Sequence, residues 1–499
     1  MSIDGLPLFK SSTKQLWPIL IWVESLPEAP VMLVGLFCGQ TKPGLVEEFL
    51  GPLVEDFNRL QETGLRFGDK VVRLLPSAFV ADSPARAFAK GTVYFNAAHG
   101  CLKCTCVGVH LNSEHKMIFE SVDAELRTDD GFKQRVDKDH HKPWRSPLEK
   151  LKNFNMIDGV PYEGLHQFDR GVTLKLVLGL YEGIFENFDK WSPRQKEAVN
   201  TFLIKTRLPS EVNRPMRSFR YRHFWKATEF RSFLLHISIA VLKDFMSFDA
   251  FNHFLCYFCS VTIFNSTAHK HLWPLAEKFL YNFVKNFPQY YGRAHMISNV
   301  HNLLHVSGDV NMFGAVPEYS AYRYENFLLI VRRYVRSGTH VVTQVAGRMQ
   351  EIASVQVATN RVTQTYPRLK VNGAGIHVTA DFVLLPNFKD QWFLTTDNGI
   401  IKFLEAKRIS SLLCTVIGIQ YEIWTEQFSA SVDGDQLSST DLHIYKIDEN
   451  GQSRSVEIPH YAIKCKFVAL RLPSTSFKHL DPQLSSSLIS LTPLFHTFQ

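Results

Sequence analysis

The sequence predicts a mixed α/β protein with a helical middle section and a β-rich C-terminal section. Three observations lead to this prediction. The N-terminal part, to about residue 90, alternates strand-like and helix-like segments. The stretch from about 170 to 295 has helical spacing and many aromatic residues. After about Val355 the pattern changes to short strand-like runs separated by Gly, Asn and Asp turns.

Composition excludes several classes of protein. The chain has 499 residues, of which 13% are aromatic, and a wholly disordered chain would be poor in aromatic residues. The net charge of 55 − 48 = +7 permits a nucleic-acid partner without requiring one. The 8 cysteines are too few for a disulfide scaffold, which favours a reducing compartment.

No targeting segment or membrane span is predicted. The first residues include an acid and no basic residue, unlike the start of a signal peptide. The best membrane candidate, Leu16 to Val34, is interrupted by Glu24 and Pro27. Neither half is long enough to cross a bilayer core of about 30 Å, so we expect no membrane partner.

The N-terminal elements follow from their residue patterns. Gln15 to Val23 and Val31 to Phe37 are β-branched and aromatic runs joined by a Pro-rich turn, which predicts an antiparallel hairpin. Leu45 to Leu60 has apolar residues at helical spacing and is followed by a glycine, so it predicts an amphipathic helix. The apolar stretch from Val71 to Ala81 contains Pro76, so part of it should be bent or lie at a sheet edge.

A short helix is predicted directly after Asp82. Ser83 is suited to be its N-cap, Pro84 to begin its first turn and Gly91 to end it. Asp82 therefore lies where a strand leads into a helix, a common position for a functional carboxylate in α/β folds. From about Glu120 to Trp144 the chain is polar, which predicts a loop or linker.

Two residue pairs have the spacing of metal ligands. Cys101 and Cys104 form a Cys-x-x-Cys pair, which can hold one side of a tetrahedral zinc ion. His301 and His305 are four residues apart, so both rings would face the same side of a helix. Taken singly, each pair has a simpler alternative: two buried thiols in one case and two ordinary histidines in the other.

Three carboxylates are candidates for chemistry: Asp4, Asp82 and Glu325. A helix is predicted from Ser320 to Val335, and on it Glu325 shares a stripe with Arg332 and Arg336. An acid that helps to hold a metal, flanked by cations for phosphate, suits phosphoryl transfer. The alternative is that Glu325 only pairs with the arginines of its own helix on a solvated face.

A basic and aromatic stretch lies between residues 214 and 226. Cations that contact phosphates, interleaved with aromatic rings that stack on bases, are typical of nucleic-acid binding. The alternative, weighed equally, is a helix start with core aromatics and solvated arginines. The candidate nucleic-acid contacts are Arg214, Arg217, Arg220, Arg222 and Lys226, together with Arg332 and Arg336.

Six motifs occur in order along the chain. They are Ile-Asp-Gly-Leu-Pro-Leu-Phe (3–9), Asp-Ser-Pro-Ala-Arg-Ala-Phe (82–88), Gly-Cys-Leu-Lys-Cys (100–104), Trp-Lys-Ala-Thr-Glu-Phe-Arg (225–231), Asn-Val-His-Asn-Leu-Leu-His (299–305) and Tyr-Glu-Asn-Phe (324–327). As a set they resemble the animal transposases of the CACTA (En/Spm) group. That group belongs to a superfamily similar to the Transib transposases and the V(D)J recombinase.

The resemblance implies a fold and a division of the chain. The expected fold is an α/β, RNase H-like catalytic core with a mixed sheet, interrupted by a large helical insertion and followed by a small, mostly-β C-terminal module. The expected boundaries are 1–115 for the first part of the core, 116–295 for the linker and insertion, 296–352 for the rest of the core and 353–499 for the C-terminal module.

The resemblance also implies a site and a reaction. Asp4, Asp82 and Glu325 would be a catalytic triad that holds two Mg²⁺ (or Mn²⁺) ions and cleaves and rejoins DNA strands. A structural Zn²⁺ would be held by Cys101, Cys104, His301 and His305. The spacings agree with the family pattern, since 101 − 82 = 19 and 325 − 305 = 20.

The expected partner is DNA, in the nucleus, with a homo-oligomer if the chain is active and with no small-molecule substrate. One alternative arises because only three residues precede Asp4, whereas the family carries an N-terminal DNA-binding region. The chain would then be a truncated or domesticated, catalytically inactive protein that binds DNA or protein partners. A second alternative is that Glu229, rather than Glu325, is the third acid.

Overall fold

The computed structural model describes residues 1–10, 12–27, 29–358, 365–370, 374–410, 413–474, 476–477 and 486–499, with only the backbone at 356–358. The fold is mixed α/β, as predicted. The chain forms two compact units, each made of two chain segments. Unit 1 comprises Met1–Gln167 and Arg293–Arg361, and unit 2 comprises Phe168–Gly292 and Val362–Gln499.

The sheet of unit 1 is centred on its third strand. Its strands are β1 (Ser2–Ile3), β2 (Leu6–Pro7), β3 (Gln15–Ile21) and β4 (Met32–Gly39). β3 pairs antiparallel with β4 on one side and with β1 and β2 on the other. Ser2 also forms a parallel bridge with Val80, so β1 lies between β3 and the segment at Val80. The predicted hairpin is confirmed by the pairing of β3 with β4.

The predicted amphipathic helix is α1 (Val46–Thr63), which ends at Gly64. It buries Leu50 and Val54 in the same core cluster as Ile3 and Ile19 of the sheet. The burial of this apolar face is what the helical spacing predicted, because residues three and four apart share one side of a helix.

The chain between α1 and the next helix is interrupted around Pro76, as expected. A hairpin of β5 (Leu65–Phe67) and β6 (Lys70–Val72) comes first, and an irregular segment then reaches the sheet at Val80. The predicted short helix follows as α2 (Ser83–Lys90). Its N-cap is Asp82 rather than Ser83, because the carboxylate accepts the hydrogen bond from the backbone N–H of Ala85.

The polar segment after α2 is mostly irregular. Its regular elements are β7 (Val109–Leu111), β8 (Lys116–Ile118) and the short helix α3 (Asp129–Lys133). The predicted loop from Glu120 to Trp144 therefore contains the short helix α3 and a 3-10 turn at Lys138–His140. Thr128 caps α3 with its side chain, and two acids in the first turn favour the helix start.

The helical middle section belongs to unit 2 and confirms the predicted helical character. A π-helical stretch (Leu165–Thr173) leads into its first α-helix. The helices are α4 (Leu174–Glu182), α5 (Pro193–Lys205), α6 (Ala227–Ser232), α7 (Ser238–Leu242), α8 (Phe248–Phe264) and α9 (Trp273–Tyr291). Cys256 and Cys259 are buried among the apolar side chains of α8.

The chain then returns to unit 1 for four helices. They are α10 (Ser298–His301), α11 (Val306–Phe313), α12 (Tyr322–Tyr334) and α13 (Val341–Ala358). α12 is the predicted helix that carries Glu325, and it buries Tyr324, Leu328 and Val331. The sequence pattern did not predict α13.

The C-terminal section forms the β region of unit 2. Its strands are β9 (Arg368–Leu369), β10 (Ile376–Thr379), β11 (Phe382–Leu384), β12 (Trp392–Thr395), β13 (Ile400–Arg408), β14 (Cys414–Tyr421), β15 (Trp424–Thr425), β16 (Ser429–Val432), β17 (Asp435–Ser438), β18 (Tyr445–Asp448), β19 (Ser453–Pro459), β20 (Ile463–Arg471) and β21 (Leu488–Pro493). Eight of them form an antiparallel sheet in the order β15-β18-β21-β20-β12-β13-β14-β19. Along β12, Phe393 and its neighbour Trp392 enter different core clusters, so both faces of this sheet are buried.

Among the described helices, none has the length and apolar character that crossing a bilayer requires.

Candidate active site and metal centre

The register of the unit 1 sheet brings the first two acids together. Ser2 bridges Val80 in parallel, and Asp4 and Asp82 each lie two residues further along their segments. In parallel pairing the two segments run in the same direction with nearly the same rise per residue. Residues at equal distances from a bridging pair therefore lie side by side. The two carboxylates are therefore placed next to each other although they are 78 positions apart in the sequence.

Local hydrogen bonds fix both aspartates. Asp4 Oδ1 accepts a hydrogen bond from the backbone N–H of Gly5 at 2.6 Å. Asp82 Oδ1 accepts one from the backbone N–H of Ala85 at 2.8 Å, which makes it the N-cap of α2. An N-cap carboxylate is held at the positive end of a helix, so the position of Asp82 is set by the helix itself.

The third acid comes from the distant helix α12. Its buried face holds the helix in the core of unit 1, and the hydroxyl of Tyr324 accepts a hydrogen bond from the amine of Met1 at 3.5 Å. Glu325 is half-buried beside this face and lies close enough to Asp4 to influence the pKa of that carboxyl. Burial, the charge of Asp82 and the charge of Glu325 raise the pKa of Asp4 to about 7.

These three carboxylates form a cluster of like charge that a cation would relieve. A raised pKa under these conditions means that ionised Asp4 is disfavoured by its neighbours. Carboxylate oxygens are the ligands that Mg²⁺ and Mn²⁺ prefer, so the donor set fits such an ion. The cluster is less tight than a preformed site: among the described residues, the only group whose ligand atoms all lie within 4.8 Å of one another contains cysteines and histidines.

A buried pair next to the acids was not assigned a role from the sequence. Glu163 accepts hydrogen bonds from the backbone N–H of Ala321 at 3.1 Å and from Nδ1 of His166 at 2.5 Å. Burial would lower the pKa of His166, but the hydrogen bond and charge of Glu163 outweigh burial and raise it, with a further contribution from Asp82. The raised pKa favours the protonated form of His166 on the Asp82 side of the cluster.

The four predicted zinc ligands meet in one buried group, formed by Cys101, Cys104, His301 and His305. The Cys101 and Cys104 sulfurs are 3.5 Å apart, Cys104 Sγ lies 3.2 Å from His301 Nε2, and Cys101 Sγ lies 3.4 Å from His305 Nε2. Tetrahedral zinc, with Zn–S of about 2.3 Å and Zn–N of about 2.0 Å, requires ligand atoms about 3.3 to 3.8 Å apart. The three distances are close to this range and all four ligand atoms lie within 4.8 Å of one another, so the donor set suits a metal ion such as zinc.

The electrostatics of this group favour a thiolate. Burial would raise the pKa of Cys101, but hydrogen bonds from Cys104 and both histidines, and the charge of His305, hold it well below its usual range. The hydrogen bond to Cys101 and burial raise the pKa of Cys104, so one sulfur carries the charge and the other the proton. Such a shared proton is what a bound metal would displace.

A buried ion pair adjoins the metal group. Lys103, between the two cysteines, donates to Asp309 at 2.7 Å, and Asp309 also accepts from the backbone N–H of Tyr162 at 2.8 Å. The Tyr162 ring in turn stacks on His305 with ring centroids 6.2 Å apart. The ligand loop and α11 are therefore joined by more than the four ligands.

Of the two arginines predicted on the helix of Glu325, Arg332 lies on α12, whereas Arg336 lies two residues beyond its end at Tyr334; both are exposed. Arg332 donates to the backbone carbonyl of Leu8 at 3.4 Å, four residues from Asp4. The backbone N–H of Arg336 donates to Gln344, which leaves its guanidinium at the surface. The two side chains therefore add positive charge on α12 and just beyond its C-terminal end.

The basic stretch of unit 2 is largely neutralised by acids. The ion pairs are Arg217 with Glu229, Arg220 with Glu197 and Arg222 with Glu182, each at 2.5 Å. Arg214 and Lys226 are exposed. Of the interleaved aromatics, Phe219 and Trp225 are buried, whereas Tyr221 and Phe224 are exposed. The pattern thus combines the two alternatives that the sequence left open.

Glu229, the competing candidate for the third acid, is bound within unit 2. Its side chain is 1% exposed and accepts two hydrogen bonds from Arg217 and one from the backbone N–H of Lys226. These contacts give Glu229 a structural task at the start of α6. Glu325, by contrast, lies close enough to Asp4 for its charge to raise the pKa of that carboxyl.

Comparison with known proteins finds no matching family model and no curated protein with significant similarity to the chain.

Proposed function

We propose that this chain is the core of a DDE-type transposase, a nuclease and strand transferase that acts on DNA in the nucleus. The observation that carries the proposal is the convergence of Asp4, Asp82 and Glu325. They come from three separate parts of the chain, and burial together with the charges of Asp82 and Glu325 raises the pKa of Asp4 to about 7. Clusters of this kind occur where a site is built for chemistry rather than for stability.

The arrangement of the sheet supports an RNase H-like core. A short first strand lies between an antiparallel neighbour, β3, and a parallel neighbour at Val80. One acid follows each of the two parallel segments, and the third comes from a helix after the insertion. This mixture of parallel and antiparallel pairing around the first acid is the arrangement that the family resemblance implies.

Two Mg²⁺ or Mn²⁺ ions, when bound by the three carboxylates, would activate the attacking oxygen and neutralise the charge of the leaving oxygen. The side chains of this protein have the remaining tasks. Asp82 is oriented by α2, and His166 and Arg332 place positive charge near the acids, where a phosphate would be attracted. The metal group of Cys101, Cys104, His301 and His305 would fix the chain that precedes α12.

A plasmid-nicking assay tests the proposal. In the presence of Mn²⁺ the chain should relax supercoiled plasmid, and Asp82→Asn should lower the rate at least about 100-fold, because several kcal/mol of transition-state stabilisation would be lost. The matched control is Asp69→Asn, which makes the same change at an exposed residue of unit 1. Equal nicking by the Asp82→Asn and unsubstituted chains would overturn the proposal.

A further inference from the structure

Exposed aromatic rings lie among lysines on one surface of unit 1. Tyr94, Phe95 and Trp144 are 39%, 41% and 48% exposed. Lys42 Nζ lies 5.4 Å from the centroid of the Tyr94 ring, and Lys142 Nζ lies 5.7 Å from it. We call these five residues the aromatic–lysine surface. None of them belongs to the acid cluster or to the metal group.

Backbone contacts hold this surface in a fixed shape. The N–H of Lys142 donates to the carbonyl of Gly91 at 2.8 Å, and the two chain segments run side by side from there. The guanidinium of Arg135 donates to the carbonyls of Lys142 and Trp144, each at 2.7 Å. The rings are therefore presented to solvent by a rigid support, so little conformational entropy would be lost when a ligand stacks on them.

Trp144 packs close to Gly91, the residue that ends α2. Gly91 ends α2 in the left-handed conformation, with φ +67°. A Cβ atom there would lie 3.3 Å from the carbonyl oxygen of Trp144 and 3.6 Å from Cδ1 of its indole. The absence of a side chain at Gly91 lets the indole approach the backbone closely, with one part packed and nearly half of the residue exposed.

The charge of the surface is positive. The neighbouring acid Glu149 is paired with Arg145 at 2.6 Å, and Asp137 is paired with Arg127 at 2.7 Å. In the described part of the chain, no carboxylate lies within ion-pair distance of Lys42 or Lys142. Lys42 Nζ donates one hydrogen bond to the hydroxyl of Tyr94 at 2.8 Å. Neither ammonium is neutralised by an acid, so both can attract a ligand of opposite charge.

We infer that the aromatic–lysine surface binds an unpaired DNA strand, with a base stacked on Trp144 and phosphates bound by Lys42 and Lys142. Aromatic faces beside lysines are the means by which proteins hold single strands, whose bases expose both faces. A duplex presents its phosphates but hides the faces of its bases. The specific prediction is therefore a preference for unpaired DNA.

The role assigned to this surface rests on the proposed function. α2 has Asp82 at its start and Gly91 at its end, so the surface lies about 12 Å along the helix axis from the acid cluster. A strand held at Trp144 would extend toward Asp82. The surface would thus keep a strand unpaired next to the point of cleavage.

The test measures binding of a fluorescein-labelled dT oligonucleotide of about 20 residues by anisotropy, without added divalent ions. Trp144→Ala should weaken binding about ten-fold, because one stacking platform is lost. Trp144→Phe, which keeps an aromatic face, should remain within about three-fold of the unsubstituted chain. Lys142→Gln should weaken binding and make the dependence of log Kd on log salt shallower by about 0.7, the value for one phosphate contact on a single strand.

The matched control is Lys285→Gln, because Lys285 is exposed and its Nζ lies 5.8 Å from the ring of Tyr281 in unit 2. This variant should bind dT as the unsubstituted chain does. Trp144→Ala should weaken the binding of a hairpin duplex clearly less than it weakens the binding of dT. The inference is overturned if Trp144→Ala binds dT unchanged, or if Lys285→Gln loses as much affinity as Lys142→Gln.

The binding test and the nicking test can be contradicted independently of each other. A chain that binds dT through Trp144 but never nicks plasmid would overturn the proposed reaction and support the surface. A chain that nicks plasmid but whose dT binding ignores Trp144 would overturn the surface and leave the reaction in place.

Discussion

At the scale of single residues, Asp4 shows how a site can oppose the stability of the fold. Its carboxyl is half-buried, and two further carboxylates lie near it, so its ionised form is costly in the folded chain. In an unfolded chain the same group has its ordinary pKa of 3.8. The folded state therefore binds a proton more tightly than the unfolded state does.

This difference predicts that Asp4→Asn stabilises the protein in the absence of added divalent ions. Since the pKa of Asp4 is raised from 3.8 to about 7, stability falls as pH rises through this window and stays low above it. At about pH 8 the substitution should raise the free energy of unfolding by about 2 to 4 kcal/mol, and near pH 4 it should have little effect. Urea denaturation at both pH values measures this.

The exposed Asp69→Asn is the control, and it should leave stability unchanged at both pH values. If Asp4→Asn were neutral or destabilising at about pH 8, Asp4 would not be strained by its neighbours. Added Mg²⁺ should make the unsubstituted chain more stable than Asp4→Asn. The ion stabilises the folded chain only when all three carboxylates are present to bind it.

At the scale of secondary-structure elements, the metal group joins parts of the chain that are far apart. Cys104 and His301 are 197 positions apart, and Cys101 and His305 are 204 apart. A bound zinc ion would hold the cysteine loop against the helices that lead into α12. Because the ligands cannot assemble in an unfolded chain, the binding free energy contributes directly to stability.

We predict that the purified chain carries one zinc ion and that Cys104→Ser loses it. The thermal midpoint should fall by about 5 to 10 °C, because a structural zinc contributes several kcal/mol. Elemental analysis and thermal unfolding measure the two effects. Cys38→Ser is the control, since Cys38 is a half-exposed free thiol in β4 and lies outside the metal group. Full zinc content in Cys104→Ser would contradict this role.

The elements also show which features a sequence can predict. The apolar spacing of α1 predicted the helix and its buried face because helical periodicity is local. The sequence pattern does not predict α13. Its first part, with Val341, Val342 and Val345, is rich in β-branched residues, which disfavour helices in isolation. Packing of Val341 and Val345 in the core overrides that weak preference.

The site divides in the same way. Candidate ligands and acids could be chosen from residue type and spacing, because such motifs are local. The sequence predicts Ser83 as the N-cap of α2. In the structure the N-cap is Asp82, which lies one residue earlier and is an equally good acceptor. The support of His166 by Glu163 depends on a backbone N–H at Ala321, 158 positions away from Glu163, and no local pattern reveals such a contact.

At the scale of the whole molecule, each unit is assembled from two distant segments of the chain. In unit 2 the segment 168–292 and the β region are joined by a buried group of charges. Lys466 on β20 is fully buried and donates to Glu211 at 2.7 Å and to Asp390 at 2.8 Å. Asp390 also accepts from the backbone N–H and the hydroxyl of Ser210, each at 2.8 Å.

The ammonium of Lys466 compensates the charges of the two carboxylates at this junction. Burial would raise the pKa of Asp390, but the charge of Lys466 and its hydrogen bond outweigh burial and hold the pKa below its usual value. Asp390 therefore contributes stability above its ordinary pKa and loses that contribution as pH falls. Removal of the ammonium would leave two carboxylates inside the protein without their main partner.

We therefore predict that Lys466→Met destabilises the chain by about 3 to 5 kcal/mol near pH 8, the usual result of leaving a buried charge uncompensated. The loss should shrink toward about pH 4, because protonation of the carboxylates then removes the unpaired charge. Urea denaturation at both pH values tests this. The matched control is Lys464→Met, the same change two residues away on β20, where the ammonium reaches Asn398 at the surface. A loss equal in both variants, or independent of pH, would show that the junction depends on packing rather than on charge.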